Sequence, residues 1–310
     1  MFDAYYDRER FRFLHNELLK SGLVSTYKNQ TLIPKTAVFK GKDINFFIDT
    51  SDGVNEDINI QEYCGRIKRV IKDSSGKPFI FFKSAYSNKW SKNIKDIAEA
   101  NNGKVFPFFK WSFNKNFYDI LYNNRNEIIK KYDVVEKEYD IGVFFQEKPY
   151  NYPRPSESDP LIAWSDHKKF NLTGDSKNMG EYINNSRLDI INRLKKTNFR
   201  VLHAGLPYKE YIKASLNCKV VINPPGIGEY TSRMVDQCYL GNCIVLRKNS
   251  YDNGLTWKNH IPEINLNDDD WIERLGSVIK NYKHHGNNCR EYYENFWTPK
   301  AIVKYLKSVY

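Results

Sequence analysis

The sequence predicts an α/β fold built from two parallel-sheet domains, and three observations support it. Short β-branched or aromatic runs alternate with amphipathic segments of helical period along both halves of the chain. Residues 220–247, VVINPPGIGEYTSRMVDQCYLGNCIVLR, read as strand, glycine-bearing loop, short helix and second strand. The 310 residues, 41% hydrophobic and 15% aromatic, can bury one large core or two moderate ones, and the length favours two domains.

In the first half, a helix over 5–21 carries Phe11, Leu14, Leu18 and Leu19 at helical spacing. A strand over 44–48 leads into the loop Asp49-Thr50-Ser51-Asp52-Gly53. The next helix has an apolar stripe of Ile60, Tyr63, Ile67, Val70 and Ile71, with Arg66, Lys68 and Arg69 on its expected solvated face. Strands over 78–82 and 105–109 flank a helix over 93–100, and a helix over 118–131 closes the half. The charged stretch 133–138 is the expected linker, giving domains 1–135 and 136–310.

The second half opens with a strand over 141–145 and a polar, proline-bearing loop over 147–160. A helix over 187–196, a strand over 200–203 and a helix over 208–217 lead to the central motif. After it come a short strand over 263–266, a helix over 271–282, the aromatic segment 292–297 and a last helix over 299–309, expected to cross back onto the first domain. Trp257, His260 and the rings of 292–297 are tempting as sugar platforms, but core packing is the better reading for most aromatics.

The central motif has the parts of a phosphate site. Val220, Val221 and Ile222 form the strand, Pro224 to Gly228 the turn-rich loop, and Thr231 or Ser232 caps the following helix. Free N–H groups at the helix start attract an anion, and Arg233 in the first turn adds a planar donor fork. Asp236, one turn on, is placed to accept from ribose hydroxyls. Gly241 closes the helix and Cys243 to Leu246 returns as a buried strand. The plainer alternative is an ordinary βαβ crossover in which Gly226 and Gly228 only turn the chain and Arg233 sits in solvent.

Tyr208, Tyr211, Ala214-Ser215, the strand to Asn223-Pro224, G-x-G-x-x-x-S-R-x-x-D over 226–236 and then G-N-C-I-V together resemble the donor-binding half of exostosin-like glycosyltransferases. The resemblance runs from about Tyr139 to the C-terminus, with Asp236 where that family usually has glutamate. It implies a GT-B-like pair of Rossmann-type domains with a cleft between them, the donor against 136–310 and the acceptor against 1–135. It further implies an inverting transfer from a UDP-sugar to a glycan hydroxyl, with xylose, glucose or glucuronic acid as candidate sugars and xylose slightly preferred. Gly226, Gly228, Tyr230, Thr231, Ser232, Arg233 and Asp236 are the expected donor-binding residues. His203, at a strand end, is expected on a phosphate or the sugar, or else as a histidine bonded to backbone. The eukaryotic enzymes of that family are typically membrane-anchored; with no run here of spanning length, a soluble bacterial or viral relative is expected.

Inversion needs a general base. Side chains at the C-terminal ends of parallel strands face the cleft, which makes Asp52 the first choice and Asp49 the second, with Glu56 and Asp57 further candidates. Either aspartate is equally readable as a loop cap. The triplet Asp268-Asp269-Asp270 resembles a metal-binding D-x-D, yet it lies between a strand and a helix, where acids suit a helix start. No metal or other cofactor is therefore expected, with Arg233 and the helix start balancing the leaving diphosphate.

The net charge of +11 invites a nucleic-acid reading, but it is dispersed. Residues 1–135 carry 23 basic and 16 acidic residues, residues 136–310 carry 25 and 21, and no basic tract forms. The five cysteines lack zinc-type spacing and read as reduced thiols. No run is long enough to span a membrane, and the charged N-terminus is unlike a signal peptide, so a cytoplasmic protein is expected. Two further readings stay open: a nucleotide-sugar or glycan-binding protein without catalysis, and a basic nucleic-acid-binding α/β protein.

Overall fold

The computed structural model describes residues 1–34, 36–49, 60–84, 92–108, 117–122, 124–132, 136–145, 179–223, 232–247 and 260–310. They form two sheets joined through a shared core.

The first sheet has the order β2-β1-β3-β4-β5-β6. Its strands are β1 (Phe2–Tyr5), β2 (Val24–Lys28), β3 (Thr36–Lys40), β4 (Asn45–Asp49), β5 (Phe79–Ser84) and β6 (Gly103–Phe108). β3 is antiparallel to β1 and β4, and the remaining pairs are parallel. Helices α1 (Arg8–Lys20), α2 (Ile60–Ser74) and α3 (Lys92–Glu99) connect them. β4 is buried at every position, as a central strand covered on both faces must be.

Three strands here differ from the sequence reading. β1 lies ahead of the helix expected over 5–21 and shares only Tyr5 with it, and no strand is expected there; Phe2 and Ala4 alternate inward. The helix instead starts at Arg8, capped by Asp7, whose carboxylate accepts from the Glu9 N–H at 3.0 Å. β2 and β3 form where no strand is expected. On α2, Ile67 and Val70 are buried as expected, but Arg66 is also buried, at 5% exposure, rather than solvated.

A π-helical turn (Phe117–Tyr122) and α4 (Arg125–Tyr132) replace the single helix expected over 118–131. The second sheet, β11-β10-β9-β7-β8, is wholly parallel. It comprises β7 (Tyr139–Phe144), β8 (Val201–Ala204), β9 (Cys218–Asn223), β10 (Cys243–Arg247) and β11 (Glu263–Ile264). Its helices are α5 (Met179–Leu194), α6 (Tyr208–Leu216), α7 (Ser232–Leu240), α8 (Trp271–Lys280) and α9 (Tyr282–Tyr292). A second π-helical turn (Tyr293–Trp297) leads to α10 (Pro299–Ser308). The chain is thus the two-unit α/β fold that the sequence predicts, with the second sheet parallel throughout as in a Rossmann-type unit and the first mixed rather than parallel, because β3 runs antiparallel between β1 and β4.

One apolar cluster includes Phe46 and Phe82 of the first sheet, Val221 and Ile244 of the second, and Ile302 and Leu306 of α10. α10 also reaches the first sheet by polar contacts. The Tyr305 hydroxyl donates to the Pro107 carbonyl at 2.7 Å, and Lys307 Nζ to the Ser21 carbonyl at 2.7 Å. The Tyr310 ring meets Phe2 and Phe46 edge-on at 5.8 and 5.2 Å.

Among the described residues no helix is long and apolar enough to cross a membrane. Cys218, Cys238, Cys243 and Cys289 are free thiols, all buried.

Candidate functional site

In the order of the second sheet, β9 lies beside β7 although β8 separates them in sequence. The strand order therefore reverses at β7 and β9. In open α/β sheets such a switch point leaves a crevice beyond the strands' carboxyl ends, because the following helices diverge to opposite sides. α5 follows β7 and α7 follows β9, and each brings one arginine inward.

The geometry of α7 comes from its capping and packing. Gly241, at φ +73°, ends the helix in the left-handed region. Its N–H bonds the Cys238 carbonyl at 3.1 Å and the Asn242 N–H bonds the Gln237 carbonyl at 3.0 Å, the paired bonds of a Schellman end. Asn242 Nδ2 then donates to Gln237 Oε1 and to the Ser215 carbonyl, both at 2.8 Å. Gln237 Nε2 donates to the Tyr211 hydroxyl at 2.7 Å and to Ser215 Oγ at 3.1 Å. This buried polar network fixes the rotation of α7 against α6.

That rotation turns Arg233 and Asp236 inward. Asp236 is 2% exposed and accepts from the Tyr208 hydroxyl at 2.9 Å through Oδ1. Its Oδ2 and the Nε of Arg233 are both buried without a hydrogen-bond partner among the described residues. Each such unmet group costs about 1–3 kcal/mol, a cost that a bound ligand can remove. Burial drives the Asp236 carboxyl up to about 7, against the opposing effects of the Tyr208 hydrogen bond and the Arg233 charge. Arg233 is itself lowered by burial, with Tyr211 and Asp236 acting the other way.

The second arginine is Arg187 of α5, 2% exposed. Its guanidinium lies 5.2 Å from the centroid of Phe145, the residue after β7. Burial lowers it to about 10, and the charge of Arg233 adds to the lowering. Two cations that repel each other thus lie near one another, with a carboxylate of weakened acidity beside Arg233. Arg187 is absent from the sequence-based site. A signal was available: it occupies the same buried stripe as Ile190, Ile191 and Leu194, where an apolar residue is expected.

His203 stands at the end of β8, exposed, with its ring 4.8 Å from that of Phe145. Partial desolvation and then Lys195 lower its proton affinity. The structure therefore brings His203, Phe145 and Arg187 into one row beside β7. Ser232 opens α7, while Gly226, Gly228, Tyr230 and Thr231 lie outside the described residues.

At the first sheet, Asp49 ends β4 at 1% exposure. Arg66 Nη1 contacts its Oδ1 at 2.7 Å and Lys83 Nζ its Oδ2 at 3.6 Å. The carboxylate expected as an alternative base is thus engaged by two buried cations and closed to solvent. Asp52, Glu56 and Asp57 lie outside the described residues, as does Trp257. His260 packs on Tyr292 and Phe296 at 5.7 and 6.5 Å.

Asp268 accepts from Asn265 Nδ2 at 2.6 Å and pairs with Arg274 at 3.0 Å, while Asp270 immediately precedes α8. Among the described residues no group of three His, Cys, Asp or Glu side chains is arranged to hold a metal ion.

No family model and no curated protein matches this chain. Solved structures with a similar course are of low identity. Sucrose-phosphate synthase from Thermosynechococcus elongatus aligns over 99% of this chain and 72% of its own, at 11% identity and a TM-score of 0.42. HepE from Anabaena, solved with UDP and glucose, aligns over 79% and 75%, at 12% identity and 0.40. A glycosyltransferase from Rickettsia africae aligns over 95% and 86%, at 11% identity and 0.35.

Proposed function

We propose that the protein is a glycosyltransferase that takes its sugar from a nucleoside diphosphate sugar, with UDP the preferred nucleotide, and passes it to a glycan hydroxyl. The observation that carries this reading is the pairing of buried Arg187 with part-buried Arg233 at the switch point of a parallel sheet, with the buried Nε of Arg233 unmet among the described residues. A diphosphate supplies oxygens to both guanidiniums and lies against the start of α7. Asp236, one turn along and with Oδ2 unmet among the described residues, is the acceptor for ribose hydroxyls.

In the transfer itself, the acceptor oxygen loses its proton to a carboxylate and forms a bond to the anomeric carbon. The bond from that carbon to the diphosphate oxygen breaks, with inversion. Arg187, Arg233 and the helix start balance the charge gathering on the leaving diphosphate, so this reading requires no metal. Asp52 is the proposed base, since Asp49 already has two cationic partners. Xylose remains the slightly preferred sugar. The assigned units are an acceptor half, 1–135, and a donor half, 136–310.

The test is thermal stabilisation and slow hydrolysis with UDP-, GDP- and CMP-sugars, with and without EDTA. Stabilisation by UDP-sugars that resists EDTA and is lost in Arg233→Ala supports the reading. No response to any nucleotide sugar would reduce the motif to an ordinary βαβ turn. Binding that persists without turnover under all acceptors would favour the non-catalytic alternative.

A further inference from the structure

A groove of about 690 Å³ opens at the other end of α7, bounded by the first π-helical turn, α4 and the second π-helical turn. That volume lies within the roughly 300–1,000 Å³ range of small-molecule sites. Its aromatic wall is assembled in advance. Tyr122, 41% exposed, stacks on Tyr239 with centroids 5.9 Å apart and planes at 16°. The Tyr239 hydroxyl donates to the Tyr122 carbonyl at 3.2 Å. Arg125 lies 4.8 Å from the centroid of the Tyr239 ring and donates from Nε to the Tyr239 carbonyl at 2.8 Å. Tyr293 meets the same ring edge-on at 4.9 Å.

Tyr239 is therefore held on several sides, and Tyr122 is the ring that remains accessible. Polar groups of both kinds share the groove with it: the guanidinium of Arg125, the amide of Asn126 and the carboxylate of Glu127. Glu294 also lines the groove but is paired with Arg290 at 2.8 Å, so the charges of Arg125 and Glu127 are left to balance each other and no net preference for a charged ligand remains. A rigid, exposed aromatic face beside mixed donors and acceptors suits a molecule with an apolar C–H face and a rim of hydroxyls.

We propose that this groove binds a neutral pyranose, free or within a glycan chain, with Tyr122 as the stacking platform and Glu127 and Asn126 as hydroxyl partners. Tyr239 lies six positions after Arg233 on one helix, about 9 Å along its axis. The groove is thus a second sugar site, and its chemistry stands whether or not the transferase reading holds.

The experiment is saturation-transfer difference NMR on the full chain with methyl glucoside, methyl galactoside, methyl xyloside and cellobiose, with and without UDP. Transfer to ring C–H protons of at least one sugar is expected, unchanged by UDP, kept in Tyr122→Phe and about tenfold weaker in affinity in Tyr122→Ala. Glu127→Gln, an exposed substitution, provides a second variant and is expected to weaken the same signal. No transfer to any of the four sugars would overturn the proposal, as would transfer abolished by UDP or left unchanged in both Tyr122→Ala and Glu127→Gln.

Discussion

The Tyr208 hydroxyl donates to Asp236 Oδ1 at 2.9 Å, while the second oxygen of the same carboxylate lies buried with no partner among the described residues. Asp236 is thus half satisfied in a place where burial raises its pKa to about 7.

Stability should register that shift. The folded pKa lies above the unfolded value of 3.8, so the folded state holds an extra proton between about pH 4 and 7. This contribution is complete below the unfolded pKa and is lost as pH rises through 7, at no more than about 1.4 kcal/mol per pH unit. Denaturant unfolding across that range should show the slope in the wild type and a reduced slope in Asp236→Asn.

Donor binding should run the other way. An ionised Asp236 accepts ribose hydroxyls better, so UDP-sugar affinity should rise as pH increases from 6 to 8. Calorimetry on Asp236→Asn should give weaker binding with a flatter profile.

Arg187→Met keeps most of the side-chain volume and removes the charge. UDP-sugar Kd should rise about tenfold or more, from the loss of a charge-assisted contact. Far-UV circular dichroism should be unchanged, which separates this from misfolding.

Asp49 and Asp52 should part company on substitution. Asp49→Asn leaves Arg66 and Lys83 buried with a neutral partner and should cost about 3–5 kcal/mol of stability. Asp52→Asn should leave the melting temperature in place and abolish turnover while donor binding remains. A stable Asp49→Asn protein would show that the ion pairs contribute little.

Gly286 of α9 faces the Gly241 carbonyl, and a Cβ there would come within 2.5 Å of that oxygen. Gly286→Ala should therefore destabilise by about 1–3 kcal/mol, measured by denaturant midpoint, because backbone on both sides must shift.

Much of this arrangement is legible in the sequence because local pattern and tertiary role agree. Val220 to Ile222, Gly241 and the strand at Cys243 follow β-branched runs and a helix stop that the chain spells out locally. What escapes is set by long-range placement. Arg66 reads as a surface charge and Arg187 is not singled out, since a sequence window does not show that Asp49 lies beside one and Phe145 beside the other. β1, β2 and β3 escape for a related reason. They are four or five residues long, and β1 abuts a strongly periodic helix whose expected start takes its last residue, Tyr5. The Tyr122 and Tyr239 stack joins residues far apart in the chain, and the break between the π-helical turn and α4 that presents Tyr122 has no mark in the apolar spacing.

The contacts of α10 give the chain an order of assembly. The first sheet leaves the ribosome well before Ile302, Val303 and Leu306, which share a core with it. At ordinary translation rates roughly 10–40 s separate Phe108 from Pro299. Throughout that interval the nascent first half must keep an unfinished apolar face, closed only when Tyr305 and Lys307 reach Pro107 and Ser21. A truncation ahead of Pro299 would therefore be felt first in the sheet some two hundred residues earlier.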